Sequence, residues 1–251
     1  MKTKTKILGA LMMAVAPLSS HAIGIDSIMG FADNNGKGHF TITNSEEYRQ
    51  FIQVVMSKVM TQDGQFVKTP LTRHNLSDWD ITVRPARTVI DPQLQKSFEV
   101  SYQPKAGADK TKDHMYQVTF VPTPYFAKGK ANKHALQVAI GFAPYFIVPA
   151  EKDAPLNYDM TFKGKTFHLH NHADTYLHAV LDTCPTGTVG NDREACNKVL
   201  YAVAGRDLNI TLPKGMQNAA SMKVSLSTHH MTYKDDMILK SGQTLSTHKG
   251  A

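Results

Sequence analysis

The sequence holds only two cysteines and one tryptophan in 251 residues. Two cysteines exclude the dense disulfide framework of small secreted scaffolds. Long apolar runs are missing as well. The longest, Ile7–Val15, falls short of the roughly 20 residues that a membrane-spanning helix needs, so no membrane insertion is expected. Helical periodicity is scarce. No Gly-rich phosphate loop, nucleophile motif or HExxH helix occurs. With none of these, the sequence gives no ground for expecting an enzyme or a cofactor.

What is present begins with "MKTKTKILGALMMAVAPLSSHA". Three lysines precede the apolar run, and Ser-His-Ala closes the segment before Ile23. This is the pattern of a secretory signal peptide, residues 1–22, cleaved on export. Its removal takes Lys2, Lys4 and Lys6 and no acid, so the formal charge falls from +7 to +4. That remainder is too mild to argue for nucleic acid. Export favours pairing of Cys184 with Cys196 over a thiol metal site. The closed loop, "CPTGTVGNDREAC", is short and full of turn formers, and its bridge is worth about 3 kcal/mol by loop entropy.

The mature chain is a series of short alternating runs separated by Pro, Gly, Asn and Asp, the mark of an all-β protein. "HFTITN", "ITVRPARTVI", "SFEVSYQ", "YQVTFVP" and "ALQVAIGF" come first. "YDMTFKGKTFHLHN", "TYLHAVLDTC", "KVLYAVAGRDLNITLP" and "SMKVSLSTHH" follow. Between the two series lies a polar linker, Pro149–Pro155. We expect two β-sandwich domains, 23–149 and 156–251. One segment stays open on periodicity: "SEEYRQFIQVVMSKVM" places Phe51, Ile52, Val55 and Val59 on one helical face, while its valines favour a strand.

The order of these runs resembles the periplasmic chaperones of chaperone–usher pili, over nearly the whole mature chain. "IGIDSIMGFA" with "FTITNS" resembles the family's opening strand pair. "WDITVRPARTVIDPQLQKSFEV" is similar to its Pro-turn passage, with Gln93 where Gly is usual. "MYQVTFVPTP" is similar to its aromatic-Arg-Val strand, with Gln117 in the Arg position. "ALQVAIGFAPYFIVP" resembles the long last strand of the first domain. "HLHNHADTYLHAVLDTC" and "LYAVAGRDLNITLP" resemble passages of the second domain. The two-cysteine loop resembles the non-classical branches, of class 5 and common-pilus type.

The resemblance implies two immunoglobulin-like β-sandwich domains in a boomerang arrangement, and it favours a strand over Arg49–Met60. It implies pilin (fimbrial) subunits as partners, held by donor-strand complementation and delivered to an outer-membrane usher. The donor strand would present Leu136, Val138, Ile140 and Phe142, with Gln137, Ala139, Gly141 and Ala143 on the other side. Read without the resemblance, those four alternating side chains face their own core. An apolar strand left uncovered in the free protein also leaves room for self-association.

The family anchors a pilin's C-terminal carboxylate with an Arg on the first strand and a Lys on the last. Those places fall near Met29 and near Pro144 or Tyr145, none of them basic. Arg84, Arg87 and Lys133 stay open as substitutes.

Histidines supply the rival reading, an exported metal-binding β-sandwich protein. His168, His170, His172 and His178 lie within eleven residues, and His168 and His170 share a strand face. A closed zinc site needs four placed ligands, and no Cys or carboxylate sits at matching spacing. The expectation is a strand ending at His170, a turn over 171–174, and a strand resuming at Thr175. Phe167 and Leu169 would face the core. Asp78, Asp80 and Asp91 read as turn residues, and Trp79 as packing at a strand end.

Overall fold

The computed structural model describes residues 23–125 and 141–247. Among the described residues, ten strands build the first sandwich. They are β1 (Ile23–Ile25), β2 (Met29–Phe31), β3 (Lys37–Asn44), β4 (Arg49–Gln62), β5 (Gln65–Pro70), β6 (Ile81–Arg84), β7 (Arg87–Ile90), β8 (Gln95–Tyr102), β9 (His114–Tyr125) and β10 (Tyr145–Val148). One sheet runs β1-β3-β8-β6. The other runs β2-β10-β9-β4-β5, with β7 also paired to β4.

Eight strands build the second sandwich: β11 (Tyr158–Lys163), β12 (Thr166–Asn171), β13 (Leu177–Asp182), β14 (Asn197–Ala202), β15 (Asp207–Thr211), β16 (Ser221–Ser227), β17 (Lys234–Lys240) and β18 (Thr244–Ser246). Its sheets run β15-β12-β11-β18 and β14-β13-β16-β17. The chain is thus all-β, with two immunoglobulin-like sandwiches.

The cores follow from period-2 alternation. In the first, Phe40, Ile42, Phe98 and Val100 from one sheet meet Ile52, Tyr116, Val118, Phe120 and Phe146 from the other. In the second, Tyr158, Met160, Phe162, Phe167 and Leu169 meet Leu177, Ala179, Leu181, Val224 and Leu226. Each such fully buried large side chain contributes about 1.5–3 kcal/mol relative to an exposed one.

The open segment is a strand, β4. Pairing with β9 from Arg49 to Val59 and with β5 beyond Ser57 settles what periodicity left open. At its end Asp63 (φ 49°) and Gly64 (φ 72°) make a tight hairpin turn of two left-handed residues.

Both sandwiches carry the same buried corner. Asn44 donates its amide to the carbonyls of Tyr48 and Ile90, and its oxygen accepts from the Glu46 N–H. Asn171 donates to the carbonyls of Thr175 and Ala202 and accepts from the Ala173 N–H. Each side chain therefore ties the turn leaving its strand to a distant strand.

One aspartate departs from the turn reading. Asp80 is buried, and its carboxylate meets the Lys58 Nζ at 2.9 Å. Asp91 does open a turn, its carbonyl accepting the Leu94 N–H, and its carboxylate accepts from Arg49 Nε at 2.5 Å. Trp79 packs against the first core and donates its indole N–H to the Thr72 carbonyl.

Candidate partner-binding edge and interdomain cleft

The first site is the edge where β9 meets the chain entering β10. Phe120 and Phe142 exchange both backbone hydrogen bonds, and the Val118 N–H donates to the Pro144 carbonyl at 2.9 Å. This antiparallel register puts Phe142 on the inner side with Phe120. There it packs, half-buried, against the first core. Leu136, Val138 and Ile140 share its parity in the sequence but lie outside the described residues.

The outer face of the same sheet is unusually apolar. Register groups Phe51 with Thr123 and Val89, Gln53 with Val121, and Val55 with Thr119. Val55, Val89, Val121 and Tyr125 on that face are 38–49% exposed. Sequence reading missed this patch. The alternation of odd-numbered apolar residues in β4 and β9 carries the signal.

Toward the second domain the same face becomes an interface. Val59, Met115 and Ile147 are buried with Tyr176 and Val203, and Met29, Phe31, Phe66 and Tyr145 pack around them. The Phe31 ring lies 5.2 Å from Tyr176 and 5.7 Å from Tyr201. The Tyr176 hydroxyl is 2.6 Å from His229 Nδ1.

Polar pins flank this apolar seam. The Asp113 carboxylate, at the foot of β9, accepts the Ala150 N–H at 2.9 Å and the Tyr176 N–H at 2.7 Å. Burial outweighs those two bonds and pushes its carboxyl from 3.8 up to about 6. Farther out, Arg206 donates to the Gly64 carbonyl at 2.7 Å, and its guanidinium lies over the Phe66 ring. The tip of the β4–β5 hairpin is thereby clamped to the turn before β15.

The structure fixes the places suggested for a carboxylate anchor. Met29 and Tyr145 are direct neighbours in the parallel β2–β10 pairing. A cation does stand beside Tyr145: Lys68 of β5 places its Nζ 5.7 Å from the ring centroid. Of the other candidates, Arg84 ends β6 in the opposite sheet, and Arg87 pairs with Gln53 next to the apolar patch. Lys133 lies outside the described residues.

The histidines divide between two sheets. β12 runs one residue beyond His170, to Asn171, and the chain resumes as β13 only at Leu177. Phe167 and Leu169 are fully buried, and their histidine neighbours face outward. His168 Nε2 meets Asp207 at 2.6 Å and His172 Nε2 meets Asp159 at 2.7 Å, while the rings of His170 and His172 lie 3.9 Å apart. His178 sits in the other sheet against Tyr201. Among the described residues no group of three or more His, Cys, Asp or Glu is placed to hold a metal.

Cys184 and Cys196 are disulfide-bonded. Among the described residues no helix is long and apolar enough to cross a membrane.

Residues 25–149 match the family model for the CS5 fimbrial protein N-terminal domain. Solved structures similar to the whole chain include the class 5 fimbriae chaperone CfaA, at 12% identity and TM-score 0.50, covering 88% of this chain and 100% of that one. Another is the Salmonella enterica SafA pilin in complex with the SafB chaperone. It matches at 11% identity and TM-score 0.52, over 87% of this chain and 96% of that one. At such identities the likeness is one of fold, and it covers both sandwiches. No curated protein sequence matches the chain.

Proposed function

We propose that this chain is a periplasmic chaperone for fimbrial subunits, exported by residues 1–22 and working without catalysis or cofactor. It holds a pilin soluble by donating the strand that leads into β10, and passes it to an outer-membrane usher. The match of residues 25–149 to the CS5 fimbrial N-terminal model and the two-sandwich fold support this reading. One observation carries it most directly. β10 and the chain before it pair with β9 on one side, opposite an exposed apolar face of the same sheet.

Leu136, Val138 and Ile140 are the side chains to be inserted. A period-2 row of this kind fills an incomplete sandwich while the backbone extends its ladder. Burying three such side chains contributes on the order of 5–9 kcal/mol before the costs of association. Phe142, packed on its own core, marks where donation ends. The domain division is 23–149 and 156–251, joined by the seam described above.

Lys68 is the cation we assign to the pilin's terminal carboxylate, in place of the Arg and Lys of better-known relatives. A carboxylate leaving water favours charge-assisted donors, and this ammonium stands over the residue that occupies the anchor position.

Co-expression with a fimbrial subunit of the same organism tests the reading. A soluble one-to-one complex is expected. A subunit that stays insoluble with or without this chain contradicts it.

A further inference from the structure

The β4–β5 hairpin touches the second domain at its tip, and two consecutive residues of that domain hold it. Arg206 Nη1 donates to the Gly64 carbonyl at 2.7 Å and to Gln65 Oε1 at 3.0 Å. The Asp207 N–H donates to the same Gly64 carbonyl at 3.1 Å. A Cβ on Gly64 would stand 2.6 Å from the Asp207 Cβ, so only glycine allows this approach.

Beyond the tip the contact continues as a row of side chains. The Arg206 guanidinium lies 4.3 Å from the Phe66 ring centroid. The Phe66 ring lies 5.3 Å from that of Tyr145, tilted by 50°. The Lys68 Nζ lies 5.7 Å from the Tyr145 centroid. Each spacing is within reach of a cation–ring or ring–ring attraction. The row thus runs from the second domain, through β5 and β10, to an ammonium on β5.

That ammonium needs help to stay in place. Lys68 is exposed, and β5 is the last strand of its sheet. A flexible lysine stem loses rotamer freedom when its head is fixed by a partner. A ring held beside it removes part of that cost in advance. Phe66 and Tyr145 are half-buried at the seam, where each limits the other. Arg206 in turn limits Phe66. Its Nε is buried without a hydrogen-bond partner among the described residues, a cost that contact with the ring offsets.

We propose that Arg206 is a positioning residue for the partner site: through Phe66 and Tyr145 it holds the Lys68 ammonium ready for a partner's carboxylate. The inference rests on the assignment of Lys68 made above. It adds that the second domain prepares a binding group of the first.

The probe is a peptide matching the C-terminus of a fimbrial subunit of the same organism, made with a free carboxylate and with an amide. The ratio of the two affinities isolates the carboxylate, because every other contact is common to both. Calorimetric titration compares mature wild type with Lys68→Ala, Arg206→Ala, Phe66→Leu and the Arg206→Ala/Lys68→Ala double variant. Arg206→Gln keeps an N–H donor for the hairpin tip while removing the cation, which guards against a folding defect in Arg206→Ala.

Wild type should prefer the acid by roughly tenfold or more. Arg206→Ala, Arg206→Gln and Phe66→Leu should each cut that preference about two- to fivefold, the range of one cation–ring contact. On the Lys68→Ala background, Arg206→Ala should cut it no further. An unchanged preference in the Arg206 variants overturns the positioning role. So does a loss shared equally by acid and amide, which a purely structural clamp would give. Lys68→Ala separates the two ideas. If it keeps the wild-type preference, the assignment of Lys68 fails and the positioning role with it. If it abolishes the preference while the Arg206 variants retain it, only the positioning role fails.

Discussion

Asp113→Asn tests how the two sandwiches are held together. The carboxylate takes one N–H from the linker at Ala150 and one from the second domain at Tyr176. Burial nevertheless raises its pKa from 3.8 to about 6, with Asp153 adding repulsion and His230 opposing it. A folded-state pKa above the unfolded one means that folding disfavours the charged form. The penalty is absent below about pH 4, grows between pH 4 and 6, and is complete above pH 6. A shift of about two units amounts to about 3 kcal/mol, as an upper bound.

Asparagine carries no charge, so the penalty vanishes at every pH, but its NH2 cannot accept one of the two N–H groups. That lost bond costs about 1.5–3 kcal/mol, independent of pH. Urea unfolding of wild type and variant at pH 4 and pH 7 isolates the titration. The stability of the variant relative to wild type should improve by up to about 3 kcal/mol from pH 4 to pH 7. The same difference at both pH values would refute the argument.

The remaining expectations concern single contacts. Asn171→Ala leaves buried carbonyls of Thr175 and Ala202 without their donor and should destabilise the second sandwich by about 2–4 kcal/mol in urea titrations. Replacing Cys184 and Cys196 together by serine opens a short loop and should lower stability by about 2–3 kcal/mol, read as a drop in Tm. Arg206→Ala removes the donor to the Gly64 carbonyl. It should speed amide exchange at the β4–β5 hairpin tip several-fold while leaving the first core protected. Lys68→Glu should weaken subunit binding at least tenfold and leave the fold intact, since the side chain is exposed; unchanged binding removes Lys68 as the anchor.

Much of the fold was legible because it rests on local alternation. Phe167 and Leu169 turned inward and their histidine neighbours outward, as period 2 requires. β4 was ambiguous because Phe51, Ile52, Val55 and Val59 satisfy a helical face as well as a strand. Only its long-range partners β9 and β5 decide, and these are not local information. The Asp63-Gly64 pair is a strong local hairpin signal. The seam between the sandwiches stayed hidden for the same reason as β4. Asp113 meets Tyr176 across 63 positions, and Arg206 meets Gly64 across 142. Asp80 read as a turn residue because its partner, Lys58, comes from another strand.

The central claim is that the strand before Phe142 is given to a partner rather than kept for the chain's own core. Val138→Arg with Ile140→Arg, co-expressed with the fimbrial subunit, tests it most directly. The account predicts that the one-to-one complex is lost while the free protein keeps its wild-type circular dichroism and Tm. A free protein unfolded by the two arginines, or a complex that survives them, would contradict it.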